Sequence, residues 1–176
     1  MLRPRLLLSF LLAALFGPCG RGQAQTPYDA PENPVLNSKD DYSKYEADVI
    51  NAAKWLEDTD LDKETDKRQR VNAFLVKWVT GSPTVNVSID ESITRIVDRN
   101  PELLSIYIAS YSRNVLENKA SPNNFLAIKA GVLSVVKVYK KGIGVTRNRQ
   151  LDRLAKMEQD SQVEEYILNM MKVQKA

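Results

Sequence analysis

"PELLSIYIASYSRNVLENKASPNNFLAIKAGVLSVVKVYKKG" occupies residues 101–142, and its reading decides the fold. Asn100 precedes it as an N-cap and Pro101 takes the first helical position, so a helix is predicted to about residue 118. Leu103, Leu104, Ile106, Tyr107, Ile108 and Tyr111 cover most of the circumference of its first two turns. A helix apolar on most sides is buried on most sides, so this one is expected at the centre. Ser121 and Pro122 repeat the cap-plus-proline device, and a second helix is predicted over 122–141. It is apolar from Phe125 to Tyr139 except for one strip. At 100° per residue, Lys129, Lys137, Lys140 and Lys141 fall within about 120° of arc. Gly142 then stands where a C-terminal glycine stops a helix, with lysines complementing the dipole.

The flanks carry the same period. Ser38 with Asp41 forms a capping box, and Tyr42, Tyr45, Val49, Ala52 and Leu56 follow at spacings of three and four. Val71, Phe74, Leu75 and Trp78 make the stripe of a helix over about 62–79, with Thr59 or Asp60 as its cap, and the TGSP run at 80–83 ends it. The TVNVSID run (84–90) alternates like a strand, but a lone strand has no partner, so a packed loop is expected. Short helices are predicted at about 90–98 and 149–158. Ser161 with Glu164 reads as a capping box for a last helix carrying Val163, Tyr166, Ile167, Met170 and Met171. No 34-residue repeat is present. The expectation is an all-α chain, an irregular bundle of about six helices, as a single domain over 38–176.

Residues 1–24 are set apart from that fold. A basic MLRPR run, an eleven-residue apolar stretch and a small-residue end at Ala24 describe a signal peptide, with cleavage before Gln25. An uncleaved anchor and a lipoprotein acylated at Cys19 are the alternatives; Pro18 beside Cys19 disfavours the second. Residues 25–37, with three prolines, read as an extended mobile arm. Three of the 25 basic residues (Arg3, Arg5, Arg21) lie in the leader, which leaves 22 basic against 22 acidic residues from Gln25 onward. A neutral mature chain removes the case for nucleic acid that a basic pI suggests, and no second apolar run is long enough to span a membrane. Cys19 is the one cysteine and there is no histidine. Cysteine nucleophiles, Ser-His-Asp triads and Cys/His metal or haem ligation are therefore excluded, and no cofactor is expected.

Four motifs are left. Asp58, Asp60 and Asp62 alternate as in the first half of a calcium loop. Lys63 stands where such a loop needs glycine and Gln69 where it needs a bidentate glutamate. A helix-to-helix turn is the competing reading, with acids favoured by the next helix's dipole. Ser134 and Lys137 match Ser-x-x-Lys, but in mid-helix and without a Lys-Thr-Gly partner. Residues 140–144 (KKGIG) follow a helix, whereas a phosphate loop precedes one. Finally, charge is segregated: 12 acids and 4 bases over 25–66, against 8 bases and one acid over 129–156. The two segments either attract within the fold or offer a docking patch, for which Lys137, Lys140, Lys141 and Arg147 are the candidates.

The runs NAFLVKWVTGSPTVNVSI (72–89), KVYKKGIG (137–144) and LDRLAKMEQDSQVEEYI (151–167) resemble a family of small exported bacterial proteins of unassigned function. The resemblance covers most of the chain after residue 24 and brings no catalytic residues. It implies an envelope or secreted location and a helical domain, where the sequon at Asn86 would be irrelevant. Together these readings predict a non-enzymatic binding protein of the periplasm or extracellular space, its partner another envelope or secreted protein. A hydrolase working through paired carboxylates and an envelope holdase using Met170 and Met171 are the alternatives.

Overall fold

The structure is a computed structural model and describes residues 27–173. The expected leader lies outside the described residues. Eight α-helices follow in order: α1 Lys39–Lys44, α2 Glu46–Asp58, α3 Thr65–Gly81, α4 Glu91–Val97, α5 Leu103–Glu117, α6 Asn124–Lys140, α7 Arg149–Gln159 and α8 Val163–Val173. No strand occurs among the described residues, and none of their helices is long and apolar enough to cross a membrane. The count exceeds the expected six partly because the first predicted helix breaks at Tyr45. There the ring turns edge-on to Phe74 and the hydroxyl accepts the Val35 N–H at 3.2 Å.

α5 is central, as its all-round apolar pattern requires. α6 packs along one side of it and α2 along another; α3 backs α2, while α7 and α8 back α6. Leu103, Ile106, Tyr107 and Ala109 of α5 are buried against Ile128, Val132, Val135 and Val136 of α6 and against Val49, Ala52 and Leu56 of α2. Gly131 sets how closely α5 and α6 approach. A Cβ there would lie 2.5 Å from Tyr107 Cδ2 and 3.1 Å from the Tyr107 carbonyl oxygen. Trp55 and Trp78 are fully buried, and the Trp78 indole N–H donates to the Tyr42 carbonyl at 2.9 Å.

The caps show where the sequence was read correctly and where it was not. Ser38 and Asp41 form the expected capping box. Asn100 does not cap α5. It is buried, and its amide bonds the Thr146 backbone twice, donating to the carbonyl at 2.9 Å and accepting the N–H at 2.6 Å. A helix beginning at Leu103 leaves that amide free to clamp the loop before α7. Asn123, not Ser121, caps α6. Neither Thr59 nor Asp60 caps α3, whose first turn follows Glu64 in the left-handed region (φ 47°). The Thr59 and Asp60 carbonyls instead take the buried Arg68 guanidinium, which also lies over Trp55. Ser161 has φ 58° and ends α7 rather than starting α8. Its N–H reaches the Glu158 carbonyl and that of Gln162 reaches Met157, the double bond of a Schellman closure.

The 84–90 run is a packed loop, as expected. The Tyr107 and Tyr111 hydroxyls hold its Ser88 and Asn86 carbonyls at 2.7 and 3.0 Å. Residues 27–37 are extended and lie against α2 and α3: Tyr28 and Pro34 are buried, and Lys77 donates to the Pro34 carbonyl at 3.1 Å.

Candidate functional site

Two regions gather charged side chains over the apolar core. The first is the seam where the C-terminus of α2 meets the last turns of α6. Glu57 accepts from both Lys137 Nζ and the buried Ser134 hydroxyl. Ser110 of α5 donates to Ser134 in turn, at 2.7 Å. Lys141 donates to the carbonyls of Glu57 and Asp58 at 2.8 Å each, satisfying orphan acceptors at the negative end of α2. Asp58 lies 3.7 Å from Lys137 and Asp60 3.6 Å from Lys141, while Asp62 pairs with its neighbour Lys63 at 3.4 Å. The acidic and basic segments of the sequence thus meet inside the fold.

That arrangement answers each candidate residue in place. Asp58, Asp60 and Asp62 face three different lysines, and no described group of three or more His, Cys, Asp or Glu residues is placed to hold a metal ion. Lys137, Lys140, Lys141 and Arg147 are all ion-paired within the chain, Lys140 to Glu158 at 2.7 Å and Arg147 to Asp152 at 3.1 Å. Ser134 and Lys137 are brought together, but each bonds Glu57, so the lysine does not activate the serine.

A cleft of about 330 Å³ opens above the seam, with Glu57, Arg113, Glu117, Ser134, Lys137 and Glu158 among its walls. Its three carboxylates are each neutralised: Glu57 by Lys137, Glu117 by Arg113 at 3.5 Å and Glu158 by Lys140. Burial pushes the Glu57 carboxyl up. Hydrogen bonds from Lys137 and Ser134, with the Lys137 charge, outweigh it and hold the pKa below the usual glutamate value. A general acid of a glycosidase needs the opposite shift. Burial does raise Asp48, but that residue is on α2 beside Tyr28, outside this cleft.

The second region is a groove of about 520 Å³ where α4, α7 and α8 converge. Met157, Tyr166 and Met170 line its apolar part, Arg95, Arg153 and Glu165 are its charged residues, and Ser92, Gln162 and Asn169 complete it. Met170 is buried, while Met157 and Tyr166 are half-buried. Arg95 Nε donates to the Glu91 carbonyl of its own helix at 3.4 Å and lies 3.8 Å from the Glu91 carboxylate, with both side chains largely exposed. Arg153 and the Tyr166 hydroxyl make no hydrogen bond or ion pair among the described residues. Burial raises the Tyr166 pKa, and the charges of Arg153 and Arg95 pull against it. The phenol therefore stays protonated at neutral pH and is a donor.

Sequence reasoning missed this groove. Arg153 with Met157 and Tyr166 with Met170 are i,i+4 pairs, legible as shared faces of α7 and α8. Nothing in the sequence brings Arg95 of α4 to them. Comparison with protein-family models, curated proteins and solved structures finds no match to this chain.

Proposed function

We propose that this is a non-catalytic binding protein, acting outside the cytoplasm after removal of residues 1–24, and that it binds through the α4–α7–α8 groove. One observation carries the reading. Arg153 stands over a half-apolar groove with no partner among the described residues, while the charges of the α2–α6 seam are met from within the chain. A concave, part-apolar groove with a few convergent polar groups is the usual form of a ligand site. The ion-paired strip at Lys137, Lys140, Lys141 and Arg147 then serves the fold.

The test is an amide shift map of the ¹⁵N-labelled protein against a fragment set of anions, cations and neutral apolar molecules. Shifts confined to α4, α7 and α8 are expected, with every fragment recovered unchanged after long incubation. Shifts centred on Glu57 and Arg113, or consumption of a fragment, would count against it. Export has its own check: mass spectrometry of the protein made with its leader should find Gln25 at the N-terminus, and a chain retaining Met1 would refute cleavage.

A further inference from the structure

We infer that the α4–α7–α8 groove is a site for a small monocarboxylate with an apolar body; this rests on the binding reading above and specifies its ligand. The groove offers donors from three helices that converge on one place. Arg95 and Arg153 are both exposed, and neither guanidinium is held by a close carboxylate. Tyr166, which lines the same groove, adds a protonated hydroxyl. A planar guanidinium matches a carboxylate through two parallel hydrogen bonds, so these groups suit that anion in particular.

The rest of the wall decides what the anion is attached to. Met157 and Met170 supply apolar, adaptable surface, and the Tyr166 ring adds a flat apolar face. A bare inorganic anion would leave that surface wet and gain nothing from it. The volume of about 520 Å³ falls in the range of small-molecule sites. Glu165 sets the charge of the ligand. It lines the same groove as the two arginines, so the wall carries one net positive charge from these three residues. A singly charged head balances it, whereas a dianionic phosphate meets repulsion from Glu165.

The experiment uses the whole chain from Gln25 and four probes: sodium octanoate, 1-octanol, sodium sulfate and inorganic phosphate, each titrated by calorimetry and by amide shifts. Octanoate should bind saturably with shifts on α4, α7 and α8, and octanol and both inorganic anions at least about tenfold more weakly, since a lost charge-assisted bond is worth about a factor of ten or more. Arg153→Gln and Arg95→Gln, both at exposed positions, should each weaken octanoate about tenfold, and Glu165→Gln should leave it equal or tighter. Octanol binding as tightly as octanoate would overturn the carboxylate assignment while leaving a binding groove in place. Sulfate or phosphate binding as tightly as octanoate would show a plain anion site and overturn it too. Octanoate shifts that avoid the groove would sink both this inference and the reading it rests on.

Discussion

The α2–α6 seam and the α4–α7–α8 groove are built from the same materials and differ in how their charges end. Both set charged helix faces over the same apolar core. In the seam Glu57 receives a lysine and a serine, and Lys141 spends its donors on two α2 carbonyls. In the groove Arg153 has no hydrogen bond or ion pair among the described residues, and Arg95 meets only Glu91 of its own helix, through the carbonyl at 3.4 Å and the carboxylate at 3.8 Å. Charge segregation along a sequence is therefore ambiguous. Lys137 and Lys141 of the basic 129–156 segment meet Glu57, Asp58 and Asp60 of the acidic one, while Arg153 of the same basic segment meets no carboxylate among the described residues.

The comparison breaks first on stability. Leu154 and Arg153 are neighbours on α7, one 2% exposed in the core and the other on the groove wall. Leu154→Ala removes buried methyl groups and leaves a cavity, which should cost about 3 kcal/mol by urea unfolding. A loss below about 1 kcal/mol would mean that α7 is not anchored as its burial indicates.

The seam comes next. Glu57→Ala leaves Ser134 without its acceptor and Lys137 without its closest carboxylate, and should cost about 2 kcal/mol, a fall in Tm of roughly 5 °C for a chain of this size. A change within about 0.5 kcal/mol would reduce the seam to an ordinary surface ion pair. The same site predicts a pH dependence. Its folded pKa lies below the 4.5 of an unperturbed glutamate, so its contribution is complete above 4.5 and disappears as pH falls through the folded value. Asp152, held low by the Tyr139 hydroxyl and Arg147, and Asp41, lowered to about 2 by Lys44 and Ser38, act in the same direction. The stability gap between the parent and Glu57→Gln should thus be full at neutral pH and close in acid below 4.5. A gap that persists in strong acid would remove the carboxylate from the account.

Much of this fold was legible because its signals are local. The 3.6-residue period placed every helix from α2 to α8 within a few residues, and the Ser38–Asp41 box needed only four residues of sequence. What failed was the fate of polar side chains whose partners are distant. Asn100 looked like a cap because caps are near in sequence; its partner Thr146 is 46 residues away. Asn148 caps α7 as a local signal could suggest, yet its amide N–H also reaches the Ile96 carbonyl and the Asp98 carboxylate, 52 and 50 residues off. The seam was half legible, as complementary segments without a geometry. The groove was not, because Arg95, Arg153 and Tyr166 sit on three helices with no common pattern.

The smallest expected effect is the one that sharpens the comparison most. Arg153→Gln removes a charge with no partner among the described residues, so unfolding free energy should change by no more than about 0.5 kcal/mol, as for a surface substitution. The matched seam change, Lys137→Gln, takes away the hydrogen bond and charge that offset the burial of Glu57. It should cost more, about 1 kcal/mol. Combined with Glu57→Gln, it should cost less than the sum of the two single changes, since the residues touch. A double change of Arg95 and Arg153 to Gln should instead be additive and close to zero in stability. Were the arginine pair to prove as costly as the seam pair, those charges would be meeting partners that the described residues do not contain, and the groove would be closed from within rather than open to a ligand.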